Sequence, residues 1–178
     1  MKKLIMVLAV LTVLAGSAAL AAGENACGNG LSAGLALADG AGDFGFQGNI
    51  TSPWFFRQHM AIRGSGFMDY RTGNDWTPYY GAQLGLVGGS FMADADIRLY
   101  GEGGFTFLFP SSKFDDDRFV LGGYGHLGFE FFVDRAHTGL SYYLELGSHG
   151  IATKTKADAG SLQYLNGFAT TAGLRWYF

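Results

Sequence analysis

Hydrophobic and polar positions alternate with a period of two through most of this chain, which is the spacing of a β-strand with two unlike faces. The clearest stretch is 94–109. Ile97, Leu99, Phe105, Phe107 and Phe109 share one face there, and Asp94, Asp96, Arg98, Tyr100, Glu102 and Thr106 share the other. Segment 118–133 repeats the design, with Phe119, Leu121, Leu127, Phe129, Phe131 and Val133 opposed by Tyr124, His126 and Glu130. Segment 138–150 does so again, with Leu140, Tyr142, Leu144 and Leu146 opposed by Ser141, Tyr143 and Glu145. Divided at its polar, Gly and Pro clusters, the chain predicts eight strands, at about 31–38, 43–51, 58–70, 78–90, 93–109, 118–133, 138–150 and 162–178. Eight short strands joined by short connections predict an all-β, closed, antiparallel up-and-down barrel.

A soluble barrel would show the same alternation with the opposite sense, its apolar face inside. Two features favour the apolar face outside. Tyr79, Tyr80, Phe109, Phe129, Phe131, Trp176 and Phe178 stand near segment ends, as aromatic girdles at membrane interfaces do, and the polar face carries too few charges to cover a water-facing exterior. The last strand fits the same picture, with Leu174, Trp176 and Phe178 on one face and Gly173, Arg175 and Tyr177 on the other, and serves as a C-terminal insertion signal of an outer-membrane barrel. Asn166 falls on the lipid side of that strand. Lying 12 residues before Phe178, it would be about 30 Å away along the tilted strand, outside an apolar band of about 25 Å.

At the other end, Lys2 and Lys3 precede the apolar run Leu4 to Leu14 and the small residues around Ala19 to Ala22. This reads as a signal peptide over 1–22, uncertain by a residue, leaving a barrel domain at 23–178. The apolar run is too short for a spanning helix of about 20 residues. Both barrel termini are then expected in the periplasm, with outer connections at Asp39 to Gly42, Arg71 to Thr77, Pro110 to Asp117 and Ile151 to Ser161, and inner ones at Thr51 to Arg57, Ser90 to Ala93 and Asp134 to His137. The Pro53-Trp54-Phe55-Phe56 stretch is expected either to extend a strand or to sit at the inner interface.

Composition agrees. The chain is 48% hydrophobic and 16% aromatic with 29 glycines and 3 prolines, and its apolar residues are dispersed in alternation. Losing Lys2 and Lys3 takes the formal charge from −3 to −5, and no basic run could track phosphates, so nucleic acid is not an expected partner. Cys27 is the single cysteine, which rules out an internal disulfide, and the Glu24-Asn25-Ala26 before it lacks a lipobox.

The inward face suggests where chemistry could lie. Arg63, Arg98 and Arg175 project inward against Asp96, Glu102, Glu130 and Glu145, with Gln83, His59 and His126 among them. Counting from the inner strand ends without shear puts Arg63, Arg98, Glu145 and His126 in one layer and Arg175, Glu130 and Asp96 in a lower one. Eight strands leave room only for side chains, and charges buried there must pair, so a charge-paired plug is expected in preference to a narrow pore for small solutes or ions. Ser148-His149 with Glu145 raises a lipid acyl hydrolase or acyltransferase, yet adjacent strand residues face opposite ways, which denies the pair a Ser–His bond. Asp115-Asp116-Asp117, beside Lys113 and Arg118, lacks the spacing of a calcium loop and reads as a solvated tip, as do Lys154 and Lys156. No phosphate loop, zinc spacing or nucleophile elbow occurs, so no cofactor, metal or catalytic residue is assigned.

The signal peptide, eight alternating segments and terminal Trp176-Tyr177-Phe178 resemble the small eight-stranded outer-membrane barrels that include OmpX-like and OmpA-like proteins. The resemblance covers 23–178 and rests on architecture, so it carries over no functional residue. It implies insertion by the barrel assembly machinery. The chain is expected to be a monomer embedded among outer-membrane lipids and lipopolysaccharide, with a structural or surface-interaction role and its outer loops as the surface for any extracellular ligand. The periplasmic peptidoglycan-binding domain that follows many OmpA-like barrels is not expected here.

Overall fold

The computed structural model describes residues 28–40, 43–71, 77–92, 95–112, 117–134, 139–151 and 167–178. Eight strands run in chain order: β1 (Ser32–Gly40), β2 (Asp43–Thr51), β3 (Met60–Arg71), β4 (Thr77–Phe91), β5 (Ile97–Phe109), β6 (Val120–Phe132), β7 (Leu140–Ile151) and β8 (Gly167–Tyr177). Each pairs antiparallel with the next, and β1 pairs with β8 from Ser32 opposite Tyr177 to Gly40 opposite Ala169, closing the barrel. Closure removes the unpaired edges that an open sheet would expose.

Alternation sets the two faces. On the outside stand Leu99, Phe105 and Phe109 of β5, Leu121, Leu127 and Phe129 of β6, Tyr142, Leu144 and Leu146 of β7, and Leu174 and Trp176 of β8, all exposed. Inside stand Arg98, Tyr100, Glu102 and Thr106, then Tyr124, His126 and Glu130, then Ser141, Tyr143 and Glu145, then Arg175 and Tyr177, all buried. The pleat that sends successive side chains to opposite faces therefore gives an apolar exterior and a polar interior, the reverse of a water-soluble barrel. Two apolar clusters interrupt the polar interior: Phe67, Tyr79, Leu108, Val120 and Ile151 toward the end away from the termini, and Trp54, Ala61, Val87 and Tyr100 toward the termini; Tyr79 is thus an inward residue and no part of an outer girdle, unlike its exposed neighbour Tyr80.

Bulky inward rings need room on the neighbouring strand. Tyr100 of β5 faces Gly128 of β6 in register, and a Cβ at Gly128 would overlap the Tyr100 ring. Glycine there lets the ring lie flat across β6.

The strand bounds differ from the sequence pattern in several places. β5 begins at Ile97, not 93, because Ala95 and Asp96 form a bend in which Met92 N–H bonds to Ile97 C=O. β3 begins at Met60, and 56–59 form a turn in which Phe56, Arg57 and Gln58 all have positive φ (46°, 58° and 67°). The Pro53-Trp54-Phe55-Phe56 stretch extends no strand. Trp54 folds under the barrel with its N–H on Asn29 C=O, Phe55 bridges to Met60, and Phe56 is exposed. The connections at the end bearing the termini span 52–59, 92–96 and 133–139, longer than the pattern suggested. The first at the opposite end is short, since Gly40 and Asp43 are still paired. The expected signal peptide, Cys27, Asp94, Lys113, Asp115, Asp116, Lys154, Lys156 and Asn166 lie outside the described residues.

Candidate functional site

The interior is built in layers. Nearest the termini, Glu130 accepts hydrogen bonds from Ser141 Oγ (2.7 Å), Tyr177 Oη (2.9 Å) and Arg175 Nη1 (3.0 Å), with Arg98 Nη1 at 3.4 Å. Arg98 also donates to Tyr177 Oη at 3.0 Å, to Gly28 C=O at 2.5 Å and to Asn29 Oδ1 at 2.8 Å. Its guanidinium lies 4.1 Å from the Trp54 ring centroid and 4.2 Å from that of Phe91, stacking that such a flat cation favours. The segment ahead of β1 and the turn after β2 thus close over Arg98 at this end of the lumen.

One layer up, Arg63 Nη1 donates to Glu102 Oε2 and Glu145 Oε1, each at 2.5 Å, and its Nε donates to Thr51 Oγ1. Tyr100 Oη donates to Glu145 at 2.6 Å and Tyr124 Oη to Glu102 at 2.6 Å. Arg175 joins the layers, with Nη2 4.0 Å from Glu145 Oε1 and its guanidinium 4.4 Å from the Tyr143 ring. Three arginines and three glutamates, each 0–7% exposed, form one connected, formally neutral network. Buried charges of this kind require such pairing, because an unpaired one costs several kcal/mol in a low-dielectric interior.

The inward residues read from the sequence divide accordingly. Arg63, Arg98, Glu102, Glu130, Glu145 and Arg175 meet in the network. Arg98 belongs to the lower layer with Glu130 and Arg175, not beside Arg63, because the staggered register offsets β5 from β3 in a way that a count along each strand omits. His126 is buried above the network against His149. Asp96 is exposed on the bend before β5, its C=O accepting from Phe132 N–H, and is no part of the interior layer. His59 is likewise exposed, its Nδ1 3.2 Å from Gly89 C=O. Ser148 is exposed on the outer face while His149 is buried on the inner one, so the two do not meet. Leu174, Trp176 and Phe178 point outward, and Phe178 N–H bonds to Leu31 C=O. Among the described residues no three of His, Cys, Asp and Glu are grouped to hold a metal.

Trp54, Tyr100, Tyr143, Tyr177 and Asn49 were not singled out from the sequence. The three tyrosines share parity with the charged residues of their own strands, which was the available signal. Asn49 donates to Tyr143 Oη at 2.8 Å across a sequence distance of 94 residues, a pairing that no local pattern contains.

No protein-family model matches the chain, and no curated protein matches its sequence. Among solved structures it is similar to the N-terminal β-barrel domain of Pseudomonas aeruginosa OprF, with a TM-score of 0.61 and 11% identity over 86% of this chain and all of that one. Neisserial surface protein A (NspA) gives a TM-score of 0.49 and 13% identity over 83% of this chain and 94% of that one. The OprF comparison shows a shared fold, that of a small closed eight-stranded β-barrel.

Proposed function

We propose that the chain is exported by a signal peptide over 1–22 and spans an outer membrane as a monomeric barrel, its termini in the periplasm and its lumen closed by the Arg–Glu network. The observation that carries this reading is the inverted surface, with Leu, Phe, Tyr and Trp side chains exposed around the wall and arginines and glutamates buried within it. Water would not tolerate that exterior as a contiguous surface, whereas lipid requires it, together with a closed hydrogen-bonded wall. Insertion would pass through the barrel assembly machinery, with Leu174, Trp176 and Phe178 as its signal. The protein's role is then structural or one of surface interaction, made through the connections at the end away from the termini, where lipopolysaccharide or an extracellular ligand would be met. A network with both charge signs matched and aromatic rings packed on its guanidinium groups supports a closed lumen over a conducting one.

The test is expression of the full chain in a Gram-negative host, fractionation, and comparison of boiled with unboiled outer membranes by gel mobility. A heat-dependent shift in the outer-membrane fraction is the expected result. A soluble periplasmic product without the shift overturns the reading.

A further inference from the structure

Toward the end of the barrel away from the termini lies a small cavity whose lining includes Asp43, Gln47, Asp69, Gln83, His126 and His149. No Lys or Arg stands among the described residues that line it, in contrast to the arginine-rich layers below. The two histidines are diagonal neighbours on adjacent strands, since Tyr124 faces His149 and His126 faces Gly147 in the β6–β7 register. Gly147 allows their approach: a Cβ there would overlap Cδ2 of the His126 ring. Tyr124 packs against both, its ring centroid 5.0 Å from His126 and 5.8 Å from His149. The result is two buried imidazoles with Nε2 atoms 2.8 Å apart and ring centroids 4.9 Å apart.

Two imidazole nitrogens come this close only with something electropositive between them, either a shared proton or a metal ion. A proton requires opposite tautomers on the two rings. A metal about 2.0 Å from each nitrogen at a square-planar cis angle places the nitrogens about 2.8 Å apart, whereas tetrahedral coordination needs about 3.3 Å. The surroundings favour a cation. Among the described residues Asp69 Oδ1, on a residue only 2% exposed, has no hydrogen-bond partner. Carboxylates in a narrow, low-dielectric mouth also concentrate cations.

We propose that His126 and His149 form a two-nitrogen site for a divalent first-row transition-metal ion, open toward the barrel end away from the termini. The two imidazoles are the protein's direct ligands and water completes the coordination, in keeping with the lack of a third convergent donor among the described residues. Imidazole donors and a cis geometry select Cu²⁺ ahead of Zn²⁺ or Ni²⁺.

The chain has four histidines, at 59, 126, 137 and 149, so the test is compact. Untagged full chain, folded in detergent, is titrated with Cu²⁺ and followed by electron paramagnetic resonance. The expected spectrum shows one copper with hyperfine splitting from two nitrogens. His126→Gln and His149→Gln should each weaken binding by at least about ten-fold and remove one nitrogen, while His59→Gln/His137→Gln should leave the spectrum unchanged. A two-nitrogen signal that survives loss of either buried histidine, or no such signal in the wild type, overturns the site and leaves a simple imidazole hydrogen bond. Should a variant fail the heat-shift check for folding, Cu²⁺ protection of His126 and His149 from carbethoxylation in the wild type decides the matter. Because detergent-folded protein is used, the outcome is independent of where the barrel resides in the cell.

Discussion

Replacing Glu130 with Leu should be among the most damaging single changes to this barrel. The carboxylate is fully buried and is shared by Arg175, Arg98, Ser141 and Tyr177. Leucine would leave two arginines with one negative partner fewer, and among the described residues Arg175 would retain only the 4.0 Å approach to Glu145 as an ion pair. Removing one partner of a buried ion pair costs about 3–5 kcal/mol, a large part of the 5–15 kcal/mol that holds a typical domain folded. With a urea dependence of about 2 kcal/mol per molar, the unfolding midpoint should fall by about 1.5–2.5 M. Urea titration in liposomes, read by the loss of the fast-migrating unboiled band, measures it. Glu130→Gln keeps the shape and some hydrogen bonds, so its midpoint should lie between the two. A Glu130→Leu midpoint within about 0.25 M of wild type, or about 0.5 kcal/mol at that slope, would show that the guanidinium groups find water or another partner, and the network would no longer explain the packing of the interior.

Leu146→Arg, at an outward position midway along β7, should destabilise the liposome-embedded barrel by about 2–4 kcal/mol by urea titration; no effect would place that face in water. Gly128→Val should force the Tyr100 ring off β6 and cost about 1–3 kcal/mol from overpacking, measured in the same way. Trp54→Ala removes the ring that covers Arg98 and should cost about 3–5 kcal/mol. In planar bilayers, Arg98→Ala and Glu145→Ala should show steps of conductance that the wild type lacks, since each empties part of a filled layer; equal, steady conductance in all three would support a pore.

Much of this architecture is legible because a barrel wall is written locally. Leu140, Tyr142, Leu144 and Leu146 alternate with Ser141, Tyr143 and Glu145 along the chain itself, and period two translates directly into outside and inside. The interior is not written locally. Whether Arg98 meets Arg63 or Glu130 depends on the stagger between strands, and counting residues along each strand put it in the wrong layer. Asp96 keeps the parity of an inward residue but lies beyond the point where β5 begins, so parity no longer governs it. Trp54 sits in an irregular segment, where neither the helix nor the strand period applies, and reaches Arg98 only because the segment folds back beneath the barrel. His126 and His149 belong to different strands and are brought together by register and by the missing side chain at Gly147.

The central claim is that lipid touches the apolar face while packed side chains fill the other. Nitroxide labels placed one at a time at 141–146, in a Cys27→Ser background and in liposomes, test it through their accessibility to oxygen and to a water-soluble nickel chelate. The account predicts high oxygen and low nickel accessibility at 142, 144 and 146, and low accessibility to both at 141, 143 and 145. High nickel accessibility at 142, 144 and 146 would contradict it, placing the apolar face in water.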